Sequence, residues 1–418
     1  MRALATALVL LSSPAAADWL KLATEDFELL TAAGERRARG WAGTLDQVRR
    51  TFRAPPSARG LRLVVFGSRR DFEPYRVGAA ASAYHVRSLG RDWIVACNPT
   101  PETLAHEYMH VLLTSAGLES KPWLSEGLAE LYTANQPPPA VADAEWLTVD
   151  RLLAATRDSK LYAEPAFYAR SWALVHMLHF SVDYRTGAAT FLKAMAAGST
   201  EADAFRAAFG KSLTQVEADL TGHIRYARWR GTLMARAPRL PLRATVRTLN
   251  PELDLAELLA AIRKPPCPYY ARAAELGSRN TQLWFAYATL CRPEAREAAL
   301  TRALALQPDF TEARLQLAFD LVEEGKYAAA VDHLRRIPRV VSDRAGPYFR
   351  ALSLALFKLG RITECRRAAE GALRFARNAA EADEARSLLE QAISSTPPPA
   401  PAPPETGRPQ CRNRPLQK

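Results

Sequence analysis

Long apolar runs are scarce. The one clear run, "LATALVLL" (residues 4–11), is too short to span a bilayer, and no later stretch is long and apolar enough to do so. Arg2 precedes this run and "SSPAAA" follows it, the order of a signal peptide, with cleavage expected after Ala17 and a mature start at Asp18. The sequence therefore predicts export, to the periplasm or beyond, with no transmembrane segment after cleavage. Cysteine is also sparse. The five residues Cys97, Cys267, Cys291, Cys365 and Cys411 include no C-x-x-C pair, which excludes a zinc ribbon and a disulfide-framework fold. A Cys267–Cys291 bridge and buried free thiols are both compatible with that spacing. G-x-S-x-G, Walker and dinucleotide-binding motifs are absent, so serine hydrolysis, phosphoryl transfer and hydride transfer have no residues to carry them. The charge is +12, but glutamates separate the arginines and no aromatic-interleaved basic stripe forms. Solvated helix faces are expected, and no nucleic-acid partner.

With 418 residues the chain has room for two or more cores. "DWLKLATEDFELLTA" alternates like strand, and the next twenty residues carry helical spacing through Ala38, Trp41, Leu45, Val48 and Phe52. "GLRLVVFGS" reads as a buried strand, and "SAYHVRSLGRDWIVACN" as two strands turning at Gly90. Strands followed by helices make an α+β domain over residues 18–235, and a Pro-containing linker is expected at 236–250. Over 251–393 the period lengthens. "EEGKYAAAV" (323–331) and "KLGRITECR" (358–366) align Gly325 with Gly360 and Ala330 with Cys365, 35 residues apart. This resembles tetratricopeptide repeats, helix–turn–helix units of about 34 residues that stack into a solenoid and bind protein partners. The Pro-rich residues 394–418 read as a disordered tail.

The chemistry lies in "TPETLAHEYMHVLLTSAG" (100–117). Thr100 is the expected N-cap, Pro101 the first helical residue and Gly117 the stop. On that helix His106 and His110 are one turn apart on one face, the spacing that lets two imidazoles share a metal ion. Glu107 projects beside them, placed to accept a proton from water. A third ligand is needed, and "KPWLSEGLAELY" (121–132) offers one. With Ser125 as N-cap, Glu126 sits in the first turn and Glu130 one turn further on the same face, placed to accept the spare N–H of a ligand histidine.

H-E-x-x-H followed by W-x-x-E-G-x-A-E is similar to the gluzincin zinc metallopeptidases, specifically their peptidase-MA-like branch. The resemblance covers about residues 18–235. It implies Zn2+ held by His106, His110 and Glu126, with Glu107 as general base in hydrolysis of a peptide or protein substrate. Glu130 stands where thermolysin-like relatives often place Asp. Such enzymes commonly supply a tyrosine or histidine to the oxyanion. Tyr168 is the expected donor, with Tyr162 and His176 as competitors. His176 with His179, and His85 on a strand, are weaker candidates for a second metal and for lining the cleft. "DWIVAC", if it edges the cleft, would hold an extended peptide by strand addition. The competing reading is an inactive metallopeptidase-like scaffold serving the repeats, and hydrolysis of a non-peptide amide would use the same residues.

Overall fold

The computed structural model describes residues 18–52, 60–78, 81–119, 121–133, 141, 147–226, 241–291 and 295–394. The expected signal peptide and all but the first residue of the expected tail lie outside the described residues. The chain forms two compact units, divided between Ser278 and Arg279.

The first unit is α+β. Its mixed sheet has the order β4-β5-β3-β2-β1-β6, with β1 at Trp19–Ala23, β2 at Phe27–Thr31, β3 at Leu61–Phe66, β4 at Ala83–Ser88, β5 at Arg91–Cys97 and β6 at Thr245–Leu249. β2, β3 and β5 run parallel, and β4, β1 and β6 pair antiparallel to their neighbours. The β4–β5 turn has positive φ at both Leu89 (53°) and Gly90 (72°), the twist a two-residue hairpin needs.

Strand alternation divides the sheet into two apolar faces. Leu63, Val65, Ile94 and Ala96 join one core with helix α1 (Glu35–Thr51) and helix α3 (Pro101–Ser115). Val64, Phe66, Trp93 and Val95 join a second with Leu258 of helix α10 (Glu252–Ile262). Each such aliphatic side chain contributes about 1.5–3 kcal/mol when fully buried. Arg62, on the α10 side of β3, pairs with Glu28, Asp254 and Glu257.

Two expectations change here. Residues 245–249, expected in a linker, form β6 on the edge of the sheet beside β1. "DWIVAC" is β5, flanked by β4 and β3, so the strand nearest α3 with an open edge is β4.

Helix α3 begins as its sequence dictates. The Thr100 hydroxyl accepts from the Thr103 N–H, Pro101 occupies the first turn, and Gly117 (φ 74°) lets the Leu118 N–H return to the Leu113 carbonyl. Helix α4 (Pro122–Thr133) follows, packed on α3 and on helix α6 (Pro165–Phe180). Residues 169–178 of α6 are all buried, and all but Arg170, Ser171 and His176 are apolar. Helices α5 (Val149–Leu153) and α9 (Leu213–Tyr226) pack on α6, and α7 (Ala188–Ala196) packs on α8 (Glu201–Phe209). Helix α11 (Cys267–Glu275) packs with α10.

The second unit is all helical. Helices α12 (Thr281–Leu290) and α13 (Arg296–Leu306), α14 (Thr311–Glu323) and α15 (Tyr327–Arg335), and α16 (Ser342–Lys358) and α17 (Ile362–Arg374) pack as successive pairs, and α18 (Ala379–Ser394) lies on α17. The 35-residue offset has a structural counterpart. Gly325 and Gly360 both take positive φ between paired helices (78° and 69°), and Ala330 and Cys365 are both fully buried. Cys267 and Cys291 are disulfide-bonded, whereas Cys97 and Cys365 are free. Among the described residues no helix is long and apolar enough to cross a membrane.

The α4–α6 contact depends on Gly127. A Cβ there would stand 2.5 Å from the Ser171 carbonyl oxygen and 2.7 Å from Val175 Cγ2. Gly127→Ala should therefore force the two helices apart at a cost of about 1–3 kcal/mol. Chemical denaturation checks this, and a variant as stable as wild type would show that the contact relaxes freely.

Candidate metal centre

Helices α3 and α4 bring His106, His110 and Glu126 together. His106 Nε2 and His110 Nε2 are 3.2 Å apart, and Glu126 Oε2 is 3.4 Å from each. A tetrahedral ion with bonds of about 2.0–2.1 Å separates its ligand atoms by about 3.3–3.4 Å. The three atoms therefore match one face of such a tetrahedron, with the fourth corner left for water or substrate.

Each donor is fixed from behind. His110 Nδ1 hydrogen-bonds with Ser125 Oγ at 2.9 Å, and Ser125 is completely buried. His106 Nδ1 faces Glu130 Oε1 at 3.6 Å, an ion-pair distance. Tyr162, in a short 3-10 helix (Lys160–Ala163), donates to Glu126 Oε1 at 2.7 Å, which turns Oε2 toward the histidines. This supporting set is what metal-binding imidazoles and carboxylates need to hold one orientation.

The electrostatics are compatible with a bound cation. Burial opposes the charged form of His106, but Glu126, Glu107 and Glu130 outweigh it and push the imidazole up to about 9. Burial likewise opposes ionisation of Glu126, yet its bonds to His106 and His110 hold the carboxyl far below the usual range. Three carboxylates surround two imidazoles, so without a metal a proton is drawn into the cluster. Glu107 is itself raised, chiefly by burial, while His106, His110 and His85 pull the other way. Burial also raises Glu130.

Ser125 is not the helix cap the sequence suggests. Helix α4 begins at Pro122, with the Ser125 N–H bonded to the Lys121 carbonyl, and this puts the hydroxyl inside the helix against His110. Glu126 nonetheless faces the histidines as expected. Tyr168 lies in the first turn of α6 with its ring 5.9 Å from that of Tyr162, so Tyr162 is the tyrosine in direct contact with Glu126. His176 is elsewhere, its Nδ1 2.9 Å from His223 Nε2. His179 donates from Nδ1 to the Val175 carbonyl and accepts at Nε2 from Tyr132. These two histidines thus turn to different partners, and among the described residues only one cluster has metal-site spacing. His85, a candidate for lining the cleft, has a largely buried side chain bonded to Asp92.

No family model and no curated protein matches this chain. The site must be judged on its own geometry.

Glu126→Ala leaves two imidazoles, too few for a stable tetrahedral site, and metal affinity should collapse. Ser125→Ala keeps all three ligands but frees His110, and should cost roughly 10–100-fold in affinity. Competition of the purified variants against a chromogenic chelator measures both. Full metal retention by Glu126→Ala would remove Glu126 from the candidate ligand set.

Proposed function

We propose that the chain is an exported zinc-dependent metallopeptidase of gluzincin type, in which the helical repeats dock a protein partner or deliver the substrate. One observation carries the proposal: two histidines one helical turn apart and a carboxylate from the next helix, spaced as a tetrahedral face, with a further glutamate beside them. Nitrogen and carboxylate donors in that number suit zinc and leave a position for chemistry. When bound, zinc polarises the scissile carbonyl and lets water act as a nucleophile near neutral pH.

The chain's own residues do the rest. Glu107 takes the proton of the attacking water and passes it to the departing amine. Tyr162 holds the outer oxygen of Glu126, so the inner one keeps its aim. Tyr168, beside it, donates to the oxyanion that develops on the carbonyl. The open edge of β4, on which α3 packs, accepts an extended peptide by strand addition. The paired helices of the second unit, with their 35-residue period, support the tetratricopeptide-like reading of the docking domain.

Glu107→Gln should abolish hydrolysis of an unfolded protein while retaining stoichiometric zinc. Tyr168→Phe should lower kcat by about 10²–10³ with zinc unchanged, as for loss of one oxyanion donor. Tyr162→Phe should instead weaken metal binding. Proteolysis assays paired with metal analysis separate the three outcomes. A wild-type chain that holds zinc and cleaves no peptide would favour the scaffold reading.

A further inference from the structure

Arg157 and Glu119 form an ion pair at the surface that the mechanism above leaves unused. Such pairs usually contribute little, because solvent screens them and two long side chains must be ordered. This one differs in where its ends are anchored. Glu119 lies in the connection between α3 and α4, the helices that carry the candidate ligands, and both of its carboxylate oxygens have partners. Oε2 is bonded to the Thr114 hydroxyl, which also stands 2.7 Å from the His110 carbonyl oxygen. Oε1 accepts from Arg157 Nη2 at 3.3 Å. The carboxylate is thus held at one place beside the end of α3.

Arg157 belongs to the segment that carries Tyr162. The Ser159 N–H bonds to the Thr156 carbonyl at 3.0 Å and the Tyr162 N–H to the Ser159 carbonyl at 3.1 Å, so the turn at Arg157 runs directly into the 3-10 helix Lys160–Ala163. A helix that short has too few internal bonds to hold a position by itself. Leu161 and Tyr162 pack against the main core, with the Tyr162 ring 5.3 Å from that of Phe167 on α6. Apolar packing holds the segment down but is non-directional. Direction comes from polar contacts. Among the described residues, two side-chain hydrogen bonds leave residues 155–164, from Arg157 to Glu119 and from Tyr162 to Glu126, and both end on the α3–α4 hairpin.

We infer that Arg157 is a positioning residue for the candidate metal centre: tied to Glu119, it fixes the Tyr162 segment along the α3–α4 hairpin, so that the phenol keeps Glu126 Oε2 turned to the histidines. The inference rests on the metal reading of His106, His110 and Glu126, and needs no hydrolysis.

Zinc ion alone is the probe, with the affinity of the full chain read by competition against a chromogenic chelator. Arg157→Gln should weaken zinc binding about 2–5-fold, the scale of one exposed ion pair, and Glu119→Gln by a similar factor. Charge by itself predicts otherwise, since removing a cation near the site would strengthen the binding of another cation. The loss should vanish in a Tyr162→Phe background, because the effect runs through that phenol. An equal loss in both backgrounds would overturn the inference, and so would full wild-type affinity in Arg157→Gln. Hydrogen exchange tests the same tie with no metal present. The amides of Ser159, Tyr162 and Glu164 should exchange faster in Arg157→Gln, while those of residues 169–178 in α6 stay as in wild type. Unchanged exchange in that segment would sink the inference as well. If Arg157→Gln fails to fold, Glu119→Gln carries both measurements. A wild-type chain that binds no zinc would defeat the metal reading, and the tie between Arg157 and the Tyr162 segment would then stand or fall on exchange alone.

Discussion

The candidate metal cluster depends on how closely α4 can approach α6. Ser125, Glu126 and Glu130 all project from α4, and the position of that helix is set where Gly127 meets the Ser171 carbonyl. A side chain at 127 would move the whole helix, and with it a ligand and two supporting groups. Ligand separations of 3.2–3.4 Å tolerate little displacement, because an ion cannot lengthen its bonds to follow. The precision of the site is therefore inherited from packing, and α6, buried all round, is the anvil against which α4 is held.

Charge follows the same logic. The cluster gathers carboxylates around imidazoles in surroundings that penalise each charge singly, and opposite charges set side by side offset those penalties. Tyr162 and Ser125 contribute neutral hydrogen bonds, which orient the donors without adding charge. Glu130 adds charge at a longer reach, opposite His106.

Much of this was legible in the sequence, for identifiable reasons. Helix α3 could be placed to within a residue because Thr100, Pro101 and Gly117 act through local backbone chemistry. His106 and His110 follow from helical spacing alone. Glu126 needed the assumption that the next helix returns, and it does. Ser125 was misread because a serine just inside a predicted helix resembles a cap, whereas Pro122 had already begun the helix three residues earlier. Tyr162 and His85 could not be assigned from spacing. Tyr162 meets Glu126 across 36 residues. His85 is buried because α3 packs on the strand that carries it, and nothing in "SAYHVRS" announces a helix above it.

The return of the chain as β6 also sets the smallest piece that could fold faithfully. A fragment ended near residue 235, where composition suggests a boundary, would leave Trp19–Ala23 with one side unpaired. It would also strip Arg62 of Asp254 and Glu257, leaving that mostly buried guanidinium to Glu28 alone. An exposed strand edge invites pairing with a neighbouring molecule. Such a fragment would keep every candidate ligand and still be prone to aggregate, so the unit that carries the site is better taken through Ser278.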